Sequence, residues 1–380
     1  MRAYLDHAAT GPLRPEALAA MLPYLTEHFG NPSGGHAVAR RARTALDDAR
    51  DEVARCLGCR PGEVVLTSGG TESDNLAVLG AAAHGAVLCS AVEHHAVLGA
   101  CGAAGGRTVP VLVSGVIDLD ALAGLLGPGV GLVSVMLVNN EVGTVQPLQE
   151  VAALVRSRAP GALLHTDAVA GVGWRDVAAE TAPFDLVSVS AHKFGGPKGV
   201  GALVVRGGVA LAPVLYGGGQ ERGRRPGTPD VAGVVGMAAA LAAATDGRAA
   251  TVARVGALRD RLAEGLRAAV EGLWETGVSG PGPGARDRSS KSAASCHVLV
   301  EGVDQEELVV LLDEAGVCAS AGAACASGAV EPSHVLRAMG IDRRLARSAL
   351  RLSLGPATTE AEVDHALAVV PKVVEHLRAP

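Results

Sequence analysis

Between residues 60 and 206, short apolar runs rich in β-branched residues alternate with stretches of helical period. The runs are Val64–Thr67, Ala86–Cys89, Val109–Val113, Leu132–Val138, Ala162–His165, Leu186–Val189 and Ala202–Val205. Amphipathic patterns such as Glu72–Ala83 and Leu148–Ser157 lie between them. Strands joined through helices pair parallel, because a long crossover brings the chain back to the same edge of the sheet. A parallel sheet must be covered on both faces, so its strands read as continuous apolar runs. The pattern predicts an α/β fold with a mostly parallel central sheet and helices on both faces. Ligands in such sheets bind at the carboxyl ends of the strands.

A second block has its own pattern: a helix near Arg254–Val270, a strand at Cys296–Val300, and helices at Gln305–Glu314 and Glu360–Leu377. We read it as a smaller α+β domain. The expected division is a large domain over 11–254 and a small one built from 1–10 and 255–380. Gly280–Ser290, rich in Gly, Pro, Ser and charge, reads as an exposed loop. Aromatic residues are only 2% of the 380-residue chain, so Ala, Val and Leu must fill the core.

The formal net charge of −6 argues against nucleic acid or an anionic membrane as the main partner. No uncharged apolar run reaches the roughly 20 residues of a membrane span. The first residues lack the apolar core of a secretory signal. Seven cysteines at scattered spacings do not suggest a disulfide framework, so a cytoplasmic setting is expected. Cys56 and Cys59 form a lone CxxC without the second pair a structural zinc needs, and no metal site is expected.

The residues that carry chemistry fall just after the strands. Thr67-Ser68-Gly69-Gly70-Thr71-Glu72 follows a strand and opens a helix, a setting in which backbone N–H groups and the Thr71 hydroxyl hold a phosphate. His94, in a Glu-His-His turn, suits stacking on a flat ring or moving protons. Asn140 can donate its amide to a ligand. Asp167 ends a strand, where a carboxylate can face a protonated ring nitrogen. Lys193 stands in Ser190-Ala191-His192-Lys193 before a glycine-rich loop, and is one of only four lysines. Arg351, between apolar neighbours in Leu350-Arg351-Leu352, is the natural fork for a carboxylate. Cys325 lies in Ala-Ser-Ala-Gly-Ala-Ala-Cys-Ala-Ser-Gly (319–328), a run with no apolar periodicity that reads as a solvent-reachable loop. Taken singly, each has an ordinary alternative as a cap, a turn residue or a surface charge.

Taken together, they resemble the cysteine desulfurases of the class V aminotransferase group, within the fold-type I enzymes that use pyridoxal phosphate (PLP). The similarity runs from Tyr4–Thr10 and Phe29–Ser33 through Thr67–Asn75, Glu93–Val97, Val138–Pro147, His165–Ala168, Ser190–Val200 and Gly227–Thr228 to Leu350–Gly355. The resemblance implies that Lys193 carries PLP as a Schiff base. It places Gly70, Thr71, Ser190 and His192 around the phosphate, with Thr228 reaching it from the partner subunit of a homodimer. It assigns Asp167 to the pyridine nitrogen, His94 to the ring face, Asn31, Asn140 and Arg351 to the substrate, and Cys325 to sulfur acceptance. The implied reaction turns L-cysteine into L-alanine and passes the sulfur to an acceptor protein. The segment Cys325–Arg337 resembles the group with the longer cysteine loop.

One position departs from the family pattern. Ala170 stands where the family usually has a glutamine that hydrogen-bonds the cofactor's phenolic oxygen. Two other readings stay open at this point. One is selenocysteine lysis or cysteine β-elimination on the same fold, for which Cys325 is dispensable in the elimination case. The other is a non-catalytic sulfur-assembly subunit, which would not need both Lys193 and Cys325.

Overall fold

The computed structural model describes residues 1–279, 285–322 and 332–379. Twelve strands occur among them. In chain order they are β1 Ala3–Tyr4, β2 Val64–Thr67, β3 Ala86–Ser90, β4 Arg107–Val109, β5 Val130–Ser134 and β6 Leu163–Asp167. There follow β7 Leu186–Ser190, β8 Gly201–Val205, β9 Leu273–Glu275, β10 Ser295–Val300, β11 Val317–Cys318 and β12 Ala349–Ser353.

The central sheet has seven strands in the order β2-β8-β7-β6-β5-β3-β4. Only β8 runs against the rest, pairing antiparallel with both β2 and β7. The sheet is buried from both sides. One side is packed by a core that includes Val53, Leu57, Leu137, Leu164, Met237 and Leu241. The other is packed by Leu76, Val97, Leu132, Leu186 and Leu203. This double covering is why the strands read as unbroken apolar runs.

Five of the seven expected runs start within one residue of their strand, and two are displaced. The run at Val109–Val113 is replaced by Arg107–Val109, because Pro110 has no N–H to continue the ladder. The regular part of Leu132–Val138 is Val130–Ser134. Beyond it, the Val135 and Leu137 N–H groups still donate to the carbonyls of His165 (3.0 Å) and Asp167 (2.9 Å). The chain therefore follows β6 to its end, which carries Asn139 and Asn140 to the site.

Three helices beyond the expected set complete this part: Pro15–Thr26, Ala37–Leu57 and Val231–Asp246. Pro15 opens the first at a position where its missing N–H costs nothing. His36 caps the second by accepting from the Ala39 N–H (3.2 Å), and Gly58, at φ 63°, ends it. Val231–Asp246 packs on both of the others through its many alanines.

β10 sits between β12 and β9 in a three-stranded antiparallel sheet. Helices Arg248–Ala269 and Glu360–Arg378 cover it. Its core joins Val255, Leu262, Val298, Leu312, Leu350 and Val370 to Ala3 and Leu5 from the start of the chain. The contact is made by β1, which pairs parallel with β11.

Candidate active site

The segments that follow β5, β6 and β7 and the N-terminal segment converge on one cavity of about 330 Å³. Asn140, Val169, Ala170, Trp174, Lys193 and Ser353 are among its lining residues. Each side chain arrives there for a local reason.

Lys193 closes the short helical turn that follows β7. Its Nζ donates to the carbonyls of Ala8 and Ala9, 3.0 Å to the latter. Burial is the main force lowering its pKa to about 8, with Arg351 adding to the effect and Asp167 and Asp6 opposing it. A good fraction of this lysine is therefore neutral at physiological pH, as a Schiff-base nucleophile must be. Asp167 ends β6, is 4% exposed, and accepts from the Val169 N–H (2.8 Å). Burial raises its pKa, while His94 and Lys193 pull it down.

His94 is a helix cap in fact: its Nδ1 accepts from the Ala96 N–H (3.2 Å), which leaves the ring proton on Nε2. It also feels the charges of both Asp167 and Lys193, so the cap stands close to both. Its pKa is lowered, first by burial.

The phosphate turn is built by close approach of two backbones. A Cβ on Gly201 would lie 2.6 Å from Gly69 Cα and from the Val189 carbonyl oxygen. Gly69 itself has φ 143°, a region other residues avoid. No side chain caps the helix Gly70–Gly80 that follows. Its first N–H groups and the Thr71 hydroxyl are available to an anion. Ser190 lies against this turn, with its Oγ 3.5 Å from where a Gly69 Cβ would be. His192 contacts Thr10 Oγ1 (3.2 Å), and burial with Lys193 and Lys198 lowers its pKa to about 4.

Arg351 lies in β12 and is 2% exposed. Its Nη2 donates to Asp6 Oδ1 (2.7 Å) and its Nη1 to the Asn140 carbonyl (3.1 Å). The Asn140 side chain faces the cavity shared with Lys193.

The fold thus brings together Gly70, Thr71, His94, Asn140, Asp167, Ser190, His192, Lys193 and Arg351. Asn31 is not among them: it is exposed, and its side chain accepts from the Ser33 N–H (3.0 Å) in its own turn. Thr228 is exposed beside Thr67, Gly199 and Arg225, away from the Lys193 cavity. Cys325 lies outside the described residues. No metal-holding group of His, Cys, Asp or Glu occurs among the described residues.

Three residues went unassigned in the sequence reading: Ala8 and Ala9, whose carbonyls hold Lys193, and Asp6, which holds Arg351. Asp6 and Arg351 are 345 residues apart, and the bridge between Asp6 and Ser353 of β12, beside the β1–β11 pairing, brings them together. The intact Tyr4–Thr10 segment was the one available signal.

The residues present fit PLP. A glycine turn with an uncapped helix start meets a phosphate, and a buried acid meets a ring nitrogen. A partly neutral lysine meets the aldehyde. At Ala170 a methyl group faces the cavity, so the chain offers no side-chain hydrogen bond there.

Comparison with known proteins agrees with this geometry. The family model described as aminotransferase class-V matches residues 3–366. The chain is 44% identical to a cysteine desulfurase of Cereibacter sphaeroides, covering 100% of this chain and 97% of that protein. It superposes on a NifS-like protein with a TM-score of 0.90 at 34% identity, covering 99% of this chain and 100% of the other. It superposes on SspA, solved in complex with cysteine, with a TM-score of 0.79 at 30% identity, covering 94% of this chain and 100% of the other. The chain belongs to the aminotransferase class-V family, among its cysteine desulfurases, whose members depend on PLP.

Proposed function

We propose that the Lys193 cavity is the desulfurase site of this chain, acting on L-cysteine and delivering its sulfur to Cys325. The observation that carries the reading is that Lys193 and Asn140 line one cavity, with Arg351 bonded to the Asn140 carbonyl and both Asp167 and Arg351 close enough to act on the charge of Lys193. The cysteine bound to the related SspA supports the choice of substrate.

Gly70, Thr71, Ser190 and His192 hold the phosphate, Asp167 faces the ring nitrogen, and His94 covers the ring. When bound, PLP supplies an electron sink for bond breaking at the substrate. Arg351 and Asn140 orient the substrate's carboxylate. Lys193, whose pKa burial lowers to about 8, would hold the cofactor and would take and return the substrate's Cα proton. The Cys325 thiolate attacks the substrate sulfur. The S–S bond forms as the substrate's C–S bond breaks; the electron pair goes to Cβ, which takes up a proton equivalent to the one the substrate thiol loses, leaving a persulfide on Cys325 and L-alanine in the cavity.

The persulfide then passes to an acceptor protein. We assign Thr228 to the partner's phosphate in a homodimer, and Asn31 to the substrate once that dimer forms. The shared core of Ala3, Leu5 and Val255 to Val374 supports the division into 11–254 and a unit of 1–10 with 255–380. The described cysteines are all unpaired, which supports a reducing, cytoplasmic setting. No helix among the described residues is long and apolar enough to cross a membrane.

Lys193→Ala tests the site. The purified variant is expected to lack the visible cofactor band and to give no borohydride-reducible adduct. A reducible adduct formed without Lys193 would move the cofactor to another lysine.

A further inference from the structure

Three buried polar atoms with no hydrogen-bond partner among the described residues gather behind the carboxylate fork: Glu141 Oε1, His297 Nε2 and Arg351 Nε. His297 and Arg351 are direct partners across the β10–β12 ladder. Glu141 Oε1 lies 4.0 Å from His297 Nε2. Buried orphan groups are costly, so their gathering in one place calls for a physical reason.

The surrounding hydrogen bonds fix where a proton can sit. Ser333 Oγ accepts from the Val335 and Leu336 N–H groups (3.1 and 3.3 Å), so its own proton goes to Glu141 Oε2 (2.7 Å). Glu141 Oε2 is therefore an acceptor, and a proton on this carboxyl belongs on Oε1. His297 Nδ1 is 2.8 Å from Thr276 Oγ1, a contact in which either group can donate, and the same hydroxyl is 3.5 Å from the His297 carbonyl. In the tautomer with Nδ1 donating, Nε2 carries a lone pair. Glu141 Oε1 is then 4.0 Å from that lone pair. Gly322, at φ 89°, lets the chain pass over the pair, since a Cβ there would meet His297 Nε2 at 3.0 Å and Glu141 Cγ at 3.1 Å.

The charges nearby agree. Arg351 is already ion-paired with Asp6 at 2.7 Å. Lys291 and Arg351 both disfavour a charge on His297, and Lys291 is itself paired with Glu275 at 3.2 Å. Burial lifts Glu141 to about 7, against the pull of Ser333 and Arg351.

We propose that Glu141 is a positioning residue for the substrate's carboxylate site, holding a proton toward His297 and so staying uncharged beside Arg351. The inference rests on the assignment of Arg351 to the substrate carboxylate. Ionised, Glu141 would be a second carboxylate beside a guanidinium that Asp6 already engages, and an incoming carboxylate would meet a poorer site. By linkage, carboxylate binding draws a proton onto Glu141.

The test is L-alanine binding to the PLP-loaded enzyme, followed by the visible absorbance change at about pH 6 and about pH 8. Relative to the gain that deprotonation of the alanine amine gives every variant, wild type is expected to bind roughly tenfold more weakly at the higher pH. Glu141→Gln, whose amide donates to His297 and accepts from Ser333, is expected to remove most of that difference. Ser333→Ala, which takes a donor from the ionised form, is expected to move the fall in affinity to higher pH.

A second readout needs no ligand. In urea, Glu141→Gln should gain stability over wild type as pH rises from about 4.5 to about 7, and the gap should then stay constant. That is the sign for a carboxyl whose pKa is raised by folding. A Glu141→Gln enzyme that keeps the wild-type pH dependence, or that loses affinity equally at both pH values, overturns the proposal. Arg351→Lys separates the two readings. If it leaves alanine affinity untouched, the carboxylate site itself is wrong. If it loses affinity while Glu141→Gln still follows wild type, only the role of Glu141 fails.

Discussion

Asp74 shows how far burial governs single residues beneath the cofactor. It is 1% exposed, its Oδ1 has no hydrogen-bond partner, and His165 Nε2 stands 3.7 Å away. An ion pair here would need a protonated His165. That ring is bracketed by Ser134 (2.8 Å) and Ser188 (3.0 Å), and burial holds its pKa down at about 3. Burial therefore disfavours a charge on either partner. Burial first, and the nearby Asp167 second, raise the pKa of Asp74, against a hydrogen bond from Ser188. Below about pH 4 the folded and unfolded chains both protonate Asp74, and it has no effect on stability. As pH rises, the unfolded chain gives up that proton while the fold keeps it, at roughly 1.4 kcal/mol per pH unit. Asp74→Asn is thus expected to match wild type near pH 4 and to be the more stable of the two at pH 7 by urea titration. A less stable variant at pH 7 would mean that Asp74 is ionised and paired with His165. None of this was legible in the sequence, where Asp74 reads as an ordinary residue of a helix start. Its meaning comes from α/β packing that sets it under β6 and β7.

The elements explain why some of the site was legible and some was not. Lys193, Asp167 and the Gly69–Gly70 turn each sit at the end of a strand whose apolar run is visible in sequence. Their placement follows from the parallel sheet alone. The three helices Pro15–Thr26, Ala37–Leu57 and Val231–Asp246 were harder to see. Val231–Asp246 is apolar on nearly all sides and so lacks a helical stripe. The carboxylate fork was legible as a residue and not as an arrangement, because its partners Asp6 and Asn140 come from distant elements. The phosphate turn carries a prediction at this scale. Gly201→Ala would push a methyl group into Gly69 and the Val189 carbonyl. Overpacking of this kind costs about 1–3 kcal/mol. The variant is expected to melt lower and to lose PLP on dialysis faster than wild type. Equal PLP retention would show that the turn relaxes without disturbing the phosphate.

At the scale of the whole molecule, the chain presents surface that one copy leaves uncovered. Leu18, Leu22 and Leu25 of the helix Pro15–Thr26, at 52%, 53% and 59% exposure, share one face at spacings of four and three. Phe29 and Tyr216 are exposed as well. A second copy covering this face would also account for Thr228, which lies away from the Lys193 cavity of its own chain. Sedimentation of wild type is expected to give a dimer, and Leu18→Asp with Leu22→Asp a monomer that binds PLP weakly. A fully active wild-type monomer would contradict the composite site.

The central claim is that sulfur leaves the Lys193 cavity on Cys325. The remaining cysteines are held in place: Cys56, Cys89, Cys101 and Cys296 are buried, Cys59 packs on the large core, and Cys318 is fixed in β11. The most direct measurement is alanine formation from L-cysteine by Cys325→Ser with dithiothreitol, alongside mass spectrometry of the protein trapped during turnover. The account expects the variant to keep PLP and to change its spectrum on adding L-cysteine. It expects no persulfide and at least a hundredfold less alanine, of the order lost when an activated nucleophile is removed. Near-normal alanine from Cys325→Ser, or a persulfide mapped to Cys318, would contradict it.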